Sequence, residues 1–165
     1  MIRVVVLLGA WATGWSATAA DSIVLGRGVS SAFLSRQPCP QGAICMDANY
    51  IWILDADQTI SGPAVTGRVR AVTSQHTDAT ATFVRSVQLF VLRPIKNPAL
   101  RRSSRADYFI VSLSPRDERG RYCLSVNPTD VGLKLDPSKV EVEASSGYFC
   151  FNATALESNN RSSGP

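Results

Sequence analysis

The side chains that could do covalent chemistry are few and scattered. The only histidine, His76, lies in Thr73-Ser74-Gln75-His76-Thr77-Asp78. A nucleophile–histidine–acid relay can be written around it with Ser74 or Ser112 and an aspartate, which would make a small periplasmic hydrolase. Such a relay needs a serine held on a strained turn, and no Gly-x-Ser-x-Gly elbow is present to hold one. His76 therefore reads as a strand-end residue sharing hydrogen bonds with its threonines. Catalytic zinc usually takes three protein ligands, and one histidine would have to recruit carboxylates from elsewhere. Asp55-Ala56-Asp57 places two carboxylates on one face of an extended strand, ~6.6 Å apart by strand rise. That spacing suits calcium or a glycosidase pair. However, no D-x-D-x-D-G pattern follows, and Gln58-Thr59 leads straight to a turn, so the pair reads as a polar strand end. No catalytic residue is assigned and no cofactor is expected.

Four cysteines, Cys39, Cys45, Cys123 and Cys150, complete the reactive set. Their spacings are not the paired C-x2-4-C of a structural zinc site, so no metal ligand is assigned. An even number of cysteines in an exported chain reads as two disulfides. Cys39 and Cys45 enclose a short turn-rich loop and are paired with each other. Cys123 and Cys150 each sit in a strand-like run and are paired across a sheet.

Export is read from residues 1–20. Arg3, the apolar run Val4–Trp11 and the small residues Ala17-Thr18-Ala19-Ala20 follow the order of a secretory signal. Gly9, Thr13, Gly14 and Ser16 interrupt the run, which falls short of the ~20 apolar residues of a transmembrane helix. No cysteine ends the run to take a lipid anchor. The expected location is periplasmic or secreted, with a bacterial envelope as the setting.

The formal charge is +4, a mild excess that selects no partner by itself. Its distribution says more. Arg93, Lys96, Arg101, Arg102 and Arg105 occur with no acid between them, in a stretch whose Pro94 and Pro98 mark a loop. Arg68 and Arg70 alternate with apolar residues on a strand and would join this set if they shared a face. These seven cations are the candidate binding residues. Their partner would be an acidic protein, an anionic lipid or a polysaccharide of the envelope. Nucleic acid is not expected, because no aromatic residues interleave as stacking platforms.

The elements that must position these residues are strands. Residues 21–38 read as an irregular arm and residues 39–151 as one β domain. Tyr50–Leu54 is a β-rich run. Val65 to Thr73 alternates with period two, and Gly67 within it suggests a bulge or bend. Phe83–Leu92 follows, with Phe83, Val87, Leu89 and Val91 toward the core. Asp107–Leu113 comes next, then a hairpin tip at Asp117–Gly120 into Arg121–Val126. A short helical turn is expected near Asp130 to Leu135, and Val140–Glu143 with Tyr148–Phe151 form a last pair. Residues 152–165 read as a disordered tail, polar from Glu157 onward. Asn152-Ala153-Thr154 and Asn160-Arg161-Ser162 are glycosylation sequons that matter only in a glycosylating source. Tyr50, Trp52 and Leu54 share a face, read as core in preference to a ligand platform.

About five to seven short strands with two disulfides indicate an all-β fold, a small OB-like barrel or a β-sandwich. From Cys39 to Cys123 the chain resembles the netrin-like modules, secreted OB-type barrels that include the tissue inhibitors of metalloproteinases. The resemblance is carried by Cys39 and Cys45 before the first strand and by Asp47-Ala48 entering it. Gly67-Arg68-Val69, Tyr108-Phe109-Ile110-Val111 and Cys123 complete it. It implies a fold only. Those inhibitors chelate the target's zinc with an N-terminal cysteine, whereas Cys39 lies well inside the mature chain. The function expected is therefore non-catalytic binding, with a hydrolase or a structural envelope component as the alternatives.

Overall fold

Ile23 and Val24 are adjacent, and both are fully shielded from water. Side chains on a strand alternate in direction, so two buried neighbours require apolar material on both faces. The architecture supplies it. In this computed structural model, which describes residues 20–36, 48–75 and 86–156, five strands close a barrel and a three-stranded sheet packs outside it.

The barrel strands are β1 (Ser22–Arg36), β2 (Ala48–Ser61), β3 (Gly67–Gln75), β4 (Val87–Pro94) and β5 (Tyr108–Pro115). They close in the order β1-β2-β3-β5-β4. All neighbours are antiparallel except β3 and β5, which run parallel at Ala71↔Tyr108 and Val72↔Phe109. Helix α1 (Pro98–Ser104) lies in the β4–β5 crossover. The outer sheet is β6 (Arg121–Leu124), β7 (Val140–Val142) and β8 (Phe149–Asn152), in the order β6-β8-β7.

Two apolar cores follow from the two faces of the wall. Val24, Trp52, Leu54, Ala56, Ala71, Phe90, Leu92 and Ile110 fill the lumen. Ile23, Leu89 and Val91 point outward instead and meet Tyr122, Leu124, Val131, Leu133, Phe151 and Leu156. β4 is therefore covered on both sides from Gln88 to Leu92, which explains its unbroken apolar run. Each large side chain so buried contributes roughly 1.5–3 kcal/mol relative to exposure.

The all-β class and the barrel agree with the sequence reading, but three boundaries move. The supposed arm is β1, paired with β2 along its length and with β4 at Ser22–Arg27. Its serines and glycines disguised a bent strand that shifts register against β2 at four places. The bend thus resides in β1, and Gly67 opens β3 at φ 75° instead of kinking its middle. Gly26 serves close approach, because a Cβ there would fall 2.4 Å from the Asp55 carbonyl oxygen.

The cationic loop is partly helical. Pro98 occupies a first-turn position that needs no N–H donor, and the Asn97 side chain accepts bonds from Ala99 N and Leu100 N. The proline that suggested a loop opens a helix. The tail also starts later than expected. Asn152 ends β8, residues 154–156 make a helical turn, and Leu156 is buried in the outer core. Residues 157–165 are outside the described set, as are residues 1–19.

Cys123 and Cys150 face each other across β6 and β8 and are disulfide-bonded. Cys39 and Cys45 lie outside the described residues. The outer sheet is fastened to the barrel through hydroxyls: Ser114 Oγ accepts from Cys123 N at 2.7 Å, and Ser112 Oγ accepts from Ser125 N at 3.1 Å.

Candidate anion-contacting surface

The crossover is held rigidly enough to present charges. Ile95 and Ala106 are buried, together with Val72 of β3, and Leu34, Leu100 and Phe109 pack around them. Ile95 N donates to the Asp107 carbonyl, and Asp107 N donates to the Arg70 carbonyl. Ser104 Oγ donates to the Leu100 carbonyl at 2.7 Å, and Ala106 N donates to Ser104 Oγ. Arg105 then leaves the helix in the left-handed region at φ 52°, a C-terminal geometry that normally favours glycine.

Four of the seven candidate cations are already engaged. Arg93 grips Asp21 through two N–H bonds of 2.9 and 2.7 Å, and the Asp21 side chain is only 8 % exposed. Its hydrogen bonds to Asp21 raise the Arg93 pKa further. Arg101 Nε donates to Asp107 at 2.9 Å. Arg68 stands opposite Asp55 across β2 and β3 and donates twice to it, at 2.9 and 3.2 Å. Arg70 donates to the Ser104 carbonyl at 3.3 Å and so ties β3 to the end of α1.

Lys96, Arg102 and Arg105 differ. All three are exposed, and none forms an ion pair among the described residues. The seven cations are thus not equally available. Three free cations on the crossover remain, beside arginines occupied with the fold.

The same pairing speaks against Asp55 as a general acid. Hydrogen bonds from Arg68 hold Asp55 below the usual carboxylate range, the opposite of what a general acid needs. Asp57 faces Arg27 at 3.5 Å. Trp52 is sealed in the lumen with Leu54, and Tyr50 packs against that core, so this face is not an open platform. His76 lies outside the described residues. Among the described residues no three His, Cys, Asp or Glu side chains gather as a metal site, and no helix is long and apolar enough to cross a membrane. A cleft of about 410 Å³ opens beside Asp21, Gly62, Asp130 and Gly132, and the Asp21 carboxylate in its lining is the one committed to Arg93.

Sequence reasoning missed the acids that cancel the cations. Asp55 meets Arg68 by strand register and Asp21 meets Arg93 across the barrel seam, and neither shows as proximity in the chain. Comparison with known protein families, curated proteins and solved structures finds no match to the chain.

Proposed function

We propose that this is an exported, non-catalytic binding protein that contacts an anionic partner through Lys96, Arg102 and Arg105. The observation that carries the reading is the contrast on the crossover itself. Its acid, Asp107, is taken by Arg101, while the other three charged side chains stand free on a segment anchored by Asn97, Ser104 and Ala106. Charge complementarity of this kind supplies steering and specificity more than raw affinity.

Export to the periplasm or beyond is part of the proposal. A disulfide between Cys123 and Cys150 suits an oxidising compartment, and the apolar opening of the chain supplies the signal. Kinship with the netrin-like OB-type barrels belongs to the same reading, as a statement about scaffold and not activity.

The test is to change Lys96, Arg102 and Arg105 together to glutamate and measure retention on an anionic matrix at low salt. The reading expects retention to collapse while the thermal unfolding midpoint stays put. Undiminished retention would overturn it.

A further inference from the structure

We infer that the open edge of the outer sheet is a self-association surface, where β7 of a second copy adds antiparallel and joins the two sheets. The inference goes beyond the proposed function and does not depend on it. The two edges of this sheet are finished differently. At β6 the outward N–H groups are taken by barrel hydroxyls, Cys123 N donating to Ser114 Oγ and Ser125 N to Ser112 Oγ. Among the described residues β7 has β8 on one side and no strand on the other. Glu143 N donates to the Tyr148 carbonyl, and Glu141 stands opposite Cys150. Glu141 and Glu143 therefore turn their backbone groups toward β8, while Val140 and Val142 turn theirs outward. Such an edge is a template for another strand. Val142 and Tyr148 at this corner are also 57 % and 43 % exposed.

Register selects the occupant. With only Val140 and Val142 facing outward, a twofold pair of β7 strands has three registers. Setting Val140 against its own copy needs the Val140 N–H, which already donates to the Pro137 carbonyl. Setting Val142 against its own copy places Glu141 opposite Glu143 of the partner subunit, twice, and like charges directly opposite repel. The third register sets Val142 against Val140 of the partner subunit. Each Val142 N–H then donates to a free carbonyl, and each Val142 side chain gains an apolar neighbour on the face where Val140 packs against the outer core. On the other face Lys139 comes opposite Glu143 of the partner subunit at both ends. Lys139 is exposed and forms no ion pair among the described residues. Glu141 meets its own copy on the axis, where Arg121 at 3.0 Å offsets each charge. A pattern that is complementary to itself fits a second copy of this chain in an isologous dimer.

The experiment is sedimentation equilibrium of the purified protein over a concentration series. A monomer–dimer equilibrium is expected, with a dissociation constant on the order of 100 μM for so short an edge. The chain is then monomeric at the submicromolar concentrations of a ligand-binding assay. Val142→Lys should weaken the dimer roughly tenfold or more, because a charge replaces the apolar contact on the edge. Glu143→Lys should weaken it roughly tenfold, since two opposite-charge pairs become two like-charge pairs. Adding Lys139→Glu to Glu143→Lys restores the pairs in reverse and should return the parent's dissociation constant. Unchanged thermal unfolding midpoints show that each variant keeps its fold. A parent that stays monomeric up to about 1 mM overturns the inference, and so does a Val142→Lys variant that dimerises like the parent. A charge-swapped double variant no tighter than Glu143→Lys also overturns it, because the register is then wrong. None of these outcomes touches retention on an anionic matrix, so the proposed function stands or falls separately.

Discussion

The two sides of the barrel wall are built to opposite plans. On the β1–β4–β5 side, Ile23, Leu89 and Val91 face outward into the apolar core beneath the second sheet. On the β2–β3 side, outward positions carry Asp55, Asp57, Arg68 and Arg70, and the crossover lies over part of them. A sealed wall contributes stability through buried area. A wall left to solvent can contribute recognition, because its free charges have paid no desolvation cost. The difference teaches that this barrel's rigidity and its proposed contact surface occupy separate sectors, so each can be broken without the other.

The largest effect belongs to the sealed sector. Phe151→Ala should destabilise the protein by about 3–5 kcal/mol, since transfer and cavity terms add, and chemical denaturation measures it. Replacing Cys123 and Cys150 by alanine should cost about 2–4 kcal/mol, read the same way against the parent under oxidising conditions. Ser114→Ala comes next. It leaves Cys123 N, at a half-buried position, without its acceptor, at about 1 kcal/mol.

A smaller effect concerns Asp117, which accepts from Arg121 N at 2.7 Å and Arg121 Nε at 2.9 Å. These bonds hold its carboxyl below the ordinary value of 3.8. A lowered folded pKa means that the stabilisation is present above the unfolded value and fades as pH falls through the folded one. Unfolding midpoints measured from pH 5 downward should therefore drop more steeply for the parent than for Asp117→Asn. The smallest effect lies on the open sector, where Arg68→Gln should leave the midpoint unmoved, because exposed pairs contribute little. A large loss there would erase the distinction between the two sectors.

Much of the barrel was legible because its strands obey period-two alternation or form unbroken apolar runs. The run at β4 and the alternation at β3 both name their elements. β1 was hidden because Ser30, Ser31 and Gly28 break the apolar pattern on a strand whose far end leaves the core. The helix was hidden because one proline signal serves both loops and first turns. For the surface, composition located the cationic segment but not which of its cations are paired. Which arginines are spent is decided by partners brought in by sheet register and barrel closure, and local spacing does not encode either.

The decisive measurement compares two charge reversals of equal size for affinity toward dextran sulfate across a salt series. One variant carries Lys96, Arg102 and Arg105 as glutamates, and the other carries Arg116, Arg119 and Lys139, exposed cations of the opposite sector. If the crossover is the contact surface, the first variant loses most of the affinity and its salt dependence while the second keeps both. Equal losses in the two variants would show that net charge alone governs binding, and the assignment of a surface would fall.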